Sequence, residues 1–188
     1  MRVAICSTLL VLCLAFASVH SKEQPRRGLR DEEVDKLPDR SDPVVKRRLQ
    51  CNACQVSCSE LFDSLSSLKK RRGGKPKTYE LIDAMESTCS SITNYGLQLR
   101  RGVPTEIFSK NVTISRATGG YITRYLMLEC GEIIEENEDV VVAEVMKKSF
   151  SERSLMSAVC IRERKECKVV GPESGQDDRL PKDFSKRD

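Results

Sequence analysis

Cys51, Cys54, Cys58, Leu61, Leu65 and Leu68 recur at spacings of three and four, the period of one face of an α-helix. The spacing predicts a first helix with all six on its inward stripe. Lys69-Lys70-Arg71-Arg72-Gly73-Gly74 ends it, with cations where they suit the helix dipole and glycines able to take a left-handed cap. After Pro76, Thr78 is the expected cap of a second helix that buries Leu81, Ile82, Met85, Cys89 and Ile92 and stops at Asn94-Tyr95-Gly96. Residues 106–115 and 121–126 alternate weakly on either side of Ala117-Thr118-Gly119-Gly120, which predicts a small β-hairpin. A third helix carries Leu126, Cys130, Ile133, Ile134, Val141 and Val145 inward, with Glu132, Glu135, Glu136, Glu138 and Asp139 mostly outward. Val140-Val141-Val142 weakens its middle by a few tenths of a kcal/mol per residue, which packing overrides. A fourth helix over residues 152–168 puts Leu155, Met156, Val159, Cys160 and Cys167 on one side. The expected fold class is mainly α, a disulfide-linked helical domain at residues 49–168 with a small β-hairpin insert between helices 2 and 3.

The flanks lack such periodicity. Met1-Arg2, an apolar run from Val3 to Ala17 and small residues to Ser21 read as a signal peptide over residues 1–21. The run, at about 15 residues, is shorter than the roughly 20 that span hydrocarbon. Residues 22–48 and 169–188 are charged and punctuated by Pro, Gly or Ser, so both are expected as solvated, disordered tails. Lys46-Arg47-Arg48 reads as a basic flank to the first helix.

Cleavage at Ser21 removes Cys6 and Cys13 from the nine cysteines and takes the one histidine, His20. A histidine base, a Ser-His-Asp triad and mixed Cys/His zinc sites are thereby excluded for the mature chain. Its net charge of +4 falls by one with Arg2, too balanced for a dedicated nucleic-acid binder. In an oxidising compartment the remaining cysteines pair rather than coordinate, so neither metal nor cofactor is expected. Six framework cysteines allow fifteen pairings, and spacing alone does not choose. If the first and last helices lie antiparallel, the pairs are Cys51 with Cys167, Cys54 with Cys160, and Cys89 with Cys130. Cys58 is then the odd thiol, expected to be buried as a small hydrophobe, with mixed-disulfide formation as the sharper alternative. Asn111-Val112-Thr113 is an N-glycosylation acceptor on the expected hairpin.

Several strings resemble the Canopy proteins of the endoplasmic reticulum and, through them, the saposin-like fold. They are Cys51-Asn-Ala-Cys54, Cys89-x5-Tyr95-Gly96, Cys130-Gly-Glu-Ile-Ile-Glu-Glu-Asn-Glu-Asp139 and Cys160-Ile-Arg-Glu-Arg-Lys-Glu-Cys167, spread over residues 49–168. The resemblance implies a saposin-like helical domain acting as a luminal folding helper, without a catalytic reaction, that binds membrane or secreted clients, sometimes beside a larger chaperone. Cys58 matches no framework position of that pattern. The sequence ends Phe184-Ser-Lys-Arg-Asp188 rather than in a Lys-Asp-Glu-Leu type signal, so residence in the endoplasmic reticulum lumen and secretion are both expected.

The leading functional expectation is a non-enzymatic co-chaperone or adaptor. Lys69–Lys77 and Glu132–Asp139 are its candidate contact regions, set against the plain alternative of solvated helix surface. A lipid-binding or membrane-interacting module is the second expectation, since saposin-like helices can open to take acyl chains. An enzyme comes third: Cys51-x2-Cys54 is better explained by structural pairing than as a redox motif, and the Glu132–Asp139 carboxylates give no sign of a shared cleft.

Overall fold

The computed structural model describes residues 36–167. The expected signal peptide and the C-terminal tail at 169–188 lie outside them.

Helix α1 (Pro43–Arg71) is the spine. Asp42 caps it by accepting a 2.8 Å hydrogen bond from the Val44 N–H, and Pro43 supplies a ready-made helical φ in the first turn. The helix thus starts ahead of Cys51. Residues 43–48, expected within a solvated tail, are helical, and Leu37 and Leu49 both lie in the core. An Asp-Pro start signal and two well-placed leucines outweigh the charged composition around them.

Helix α2 (Thr78–Ser90) begins one residue earlier than a Thr78 cap implies. Lys77 occupies the cap, and the Glu80 carboxylate accepts from its N–H at 3.0 Å. Strands β1 (Gly96–Arg100), β2 (Val103–Ser109) and β3 (Arg116–Ala117) follow, forming an antiparallel sheet in the order β2-β1-β3. The hairpin therefore turns at Arg101-Gly102, not at Ala117–Gly120. Both turn residues have positive φ, 55° and 82°, the handedness that suits strand twist. At Gly96 a Cβ would sit 2.6 Å from the Ala117 carbonyl, so only glycine lets β3 approach β1 this closely.

Residues 121–126, expected as a strand, instead open helix α3 (Gly120–Met146). Ile122, Tyr125, Leu126, Glu129, Cys130 and Ile133 form one buried stripe at helical spacing, and that burial decides against the weaker alternation. Asn137 breaks the regular backbone (φ −134°, ψ 23°), and its side-chain amide donates to the Ile133 carbonyl at 3.3 Å. The irregularity precedes the Val140-Val141-Val142 run, which is helical.

Helix α4 (Glu152–Met156) continues as a π-helix over Ser157–Glu163. It ends short of the expected Lys168: the Arg164 N–H reaches back to the Val159 carbonyl at 3.0 Å, and Lys165 turns the chain with φ 55°. α1 packs against α2, α3, α4 with its π continuation, and β2. The protein is thus mainly helical, four helices with a three-stranded sheet between α2 and α3.

Candidate functional site

The periodicity of α1 and of the last helix brings their sulfurs together. Cys51 pairs with Cys167, Cys54 with Cys160 and Cys89 with Cys130, at Cα separations of 4.9, 5.9 and 5.4 Å. Cys51 and Cys54 go to different partners, so the Cys-x-x-Cys is not a dithiol couple within itself. Cys58 is free and fully buried, one turn beyond Cys54 on the same stripe. Its Sγ lies 3.6 Å from Cys160 Sγ, and the sulfurs of Cys54, Cys58 and Cys160 all fall within 4.8 Å of one another. Burial pushes the Cys58 thiol up to about 12, against a smaller opposite pull from Arg164, while Glu152 and Glu166 push the same way as burial. Since the thiolate is the nucleophile, Cys58 is chemically quiet at neutral pH in the folded state.

Beside this sulfur cluster sits an ionic clasp that no sequence pattern announced. Arg164, with its side chain 7% exposed, lies 2.7 Å from Glu166, 3.0 Å from Glu136, and 3.5 Å from both Glu129 and Glu132. Three of these carboxylates come from one face of α3 at spacings of three and four. The clasp ties the chain end carrying Cys167 to α3. Burial raises the Glu129 carboxyl above its ordinary range; its contact with Tyr125 pulls the other way, Glu132 and Glu166 add to the rise, and Arg164 opposes it. Tyr125 stacks on Phe108 at 5.9 Å, with the Arg40 guanidinium 5.5 Å over its ring. The run expected as a free acidic contact region is therefore partly committed: Glu132 and Glu136 serve Arg164.

The basic region has a different geometry. Lys69, in the last turn of α1, donates to the Val145 carbonyl at 2.7 Å and to the Lys147 carbonyl, holding the end of α3. Its ammonium also lies 5.6 Å from the centre of the Phe150 ring. Phe62 meets Phe150 at 5.2 Å, and these rings with Ser66, Lys69, Lys70, Gly74 and Lys148 line an open cleft of about 280 Å³. Lys70 and Lys148 are exposed at its rim. The cleft offers two aromatic faces and a rim of positive charge, which suits an anionic segment bearing an apolar or aromatic side chain.

Asn111 follows β2 in an exposed turn, its side-chain oxygen accepting from the Thr113 N–H at 2.9 Å and from the Thr113 hydroxyl at 2.7 Å. Val112 is 82% exposed. The preceding residue is anchored, because Lys110 pairs with Glu60 on α1 and lies over the Tyr95 ring at 5.1 Å. One further contact escaped the sequence. Asn52, inside the Cys-x-x-Cys, is buried and accepts from the Phe108 N–H at 2.6 Å, docking the sheet onto α1.

Among the described residues no helix is long and apolar enough to cross a membrane. Comparison of the chain with protein-family models, with curated proteins and with solved structures finds no match.

Proposed function

We propose that this chain is a non-enzymatic helper of the secretory pathway, a co-chaperone or adaptor assisting the folding, maturation or export of client membrane or secreted proteins. In this reading the domain is Canopy-type and saposin-like, and works in the endoplasmic reticulum lumen or after secretion, alone or beside a larger luminal chaperone. The observation that carries it is the sulfur framework. Two neighbouring bridges, Cys51–Cys167 and Cys54–Cys160, clamp the domain's ends, and the remaining thiol is buried, which suits a rigid platform for gripping other chains. The cleft bounded by Phe62, Phe150, Lys70 and Lys148 is the contact surface of that platform, favoured over the acidic face because Glu132 and Glu136 already hold Arg164.

Cross-linking in cells followed by sequencing of captured proteins tests this. The expected result is a set of secretory-pathway clients whose recovery falls severalfold when Lys70→Glu and Lys148→Glu are combined. Recovery of lipid alone, or strong flotation with liposomes and no protein clients, would replace the adaptor with a lipid-binding module.

A further inference from the structure

Two of the three clustered sulfurs, Cys54 and Cys58, stand on successive turns of α1 and face the same third one. Cys58 Sγ is already 3.6 Å from Cys160 Sγ, so a covalent bond of about 2.0 Å needs the gap to close by about 1.6 Å, within the reach of side-chain rotation. We infer that Cys58 is the alternative partner of Cys160, and that the chain can close its ends through either a Cys54–Cys160 or a Cys58–Cys160 bridge.

The exchange is balanced without an external oxidant. The Cys58 thiol gives up its proton, its sulfur bonds to Cys160 Sγ, the Cys54–Cys160 bond breaks, and the electron pair leaves on Cys54, which takes the proton.

Two features keep the fold in the first arrangement. Attack on a disulfide proceeds along the line of the breaking bond, and a collinear array would set the outer sulfurs about 5.6 Å apart. Here they lie within 4.8 Å, so the approach is bent. Burial, which lifts the Cys58 thiol to about 12, starves the reaction of thiolate as well. Both restraints depend on the packing of the segment that carries Cys160, and that segment is π-helical, a rare geometry that occurs mostly as single-turn insertions in α-helices and frequently at functional sites. Exchange therefore belongs to moments when this segment loosens, above all during oxidative folding. Cys58 there gives the ends a second route to closure, and an internal thiol that can reopen a Cys54–Cys160 bond formed too early.

The test is a Cys54→Ser variant of the mature chain, refolded in a glutathione and glutathione-disulfide buffer, then denatured in the presence of N-ethylmaleimide so that buried thiols react, and mapped without reduction. Oxidation of the two thiols here reduces one glutathione disulfide to two glutathiones. The expected result is a Cys58–Cys160 peptide and loss of label from both residues, whereas Cys54→Ser/Cys58→Ser carries label on Cys160. Label on both Cys58 and Cys160 in a folded Cys54→Ser protein overturns the inference. Should that variant not recover helical circular dichroism, the wild type decides. In mild urea with a trace of dithiothreitol, a species labelled at Cys54 and bridged at Cys58–Cys160 supports exchange. Label confined to Cys58, or label on Cys160 with a Cys54–Cys58 bridge, overturns it.

Discussion

Replacing Arg164 with leucine removes the cation that pairs with four carboxylates, and the structure sets the size of the effect. Glu132 and Glu136 are 54% and 62% exposed, so water takes over their solvation and each contributes at most about 1 kcal/mol. Glu129 and Glu166, 8% and 13% exposed, are different. Glu166 also has a buried oxygen with no hydrogen-bond partner. Breaking a buried pair from one side costs about 3–5 kcal/mol, and the partial solvation of the site puts Arg164→Leu near 3 kcal/mol at pH 7. Burial already holds the Glu129 carboxyl above its ordinary value, and loss of the guanidinium raises it further. An acid raised in the folded state contributes stability that is fully present below its unfolded pKa and lost as pH rises through the folded value. The deficit of Arg164→Leu is therefore largest at neutral pH and shrinks as the solution is acidified toward the ordinary carboxylate range near pH 4. Adding Glu129→Gln returns part of the loss at pH 7 and little at pH 4. Urea unfolding of the mature protein at the two pH values measures this. A loss under about 1 kcal/mol, or one equal at both pH values, would refute the idea that the clasp holds the chain end through buried charge.

Other consequences are more local. Asn52→Ala leaves the Phe108 N–H without its acceptor and is expected to cost about 1–3 kcal/mol in urea unfolding; a loss within error would mean that the sheet docks by other contacts. The Cys51–Cys167 and Cys54–Cys160 bridges close loops with sequence separations of 116 and 106, so each is largely redundant while the other stands. Removing Cys51 and Cys167 by serine substitution should lower the melting temperature modestly, and removing all four cysteines should forfeit most of the roughly 4–5 kcal/mol of a single long-loop bridge. Equal melting curves for the two variants would contradict this. Secretory expression should place a glycan on Asn111, seen as a mobility shift that endoglycosidase reverses and Thr113→Ala abolishes; an unshifted band from the exported protein counts against it.

How much of this was legible in the chain depended on whether a residue's partner lay on its own element. Leu61, Leu65, Met85, Ile133, Val145 and Val159 declared themselves by period, and all are buried. The first half of α3 carried the same signal in Ile122, Tyr125 and Leu126, but Gly119-Gly120 reads equally as a turn, and only burial on the helical face separates the two readings. The true hairpin was harder. Leu97, Leu99 and Arg101-Gly102 show its alternation and turn, yet β3 is two residues long and pairs only because Gly96 lets it come close. Asn52 and Arg164 could not be found locally at all. Asn52 acts on a group 56 residues away and Arg164 gathers, besides its near neighbour Glu166, three carboxylates of α3; neither Asn in a Cys-x-x-Cys nor Arg in a mixed-charge run is unusual where it stands.

Cys58 is the case between these limits, and it shows what helical geometry dictates once one pairing is known. Four residues along an α-helix advance the chain by about 6 Å and turn it by only about 40° past a full revolution. A sulfur on another element that bonds to position 54 must therefore lie near position 58 as well, unless the two elements cross steeply enough to part within one turn. The sequence puts Cys58 on the stripe of Cys54, the antiparallel pairing brings Cys160 to that stripe, and the 3.6 Å contact follows from the two together. A valine or leucine at 58 would have met the same need for buried volume. A cysteine there adds something those side chains lack, a second sulfur within reach of the bridge that closes the domain's ends.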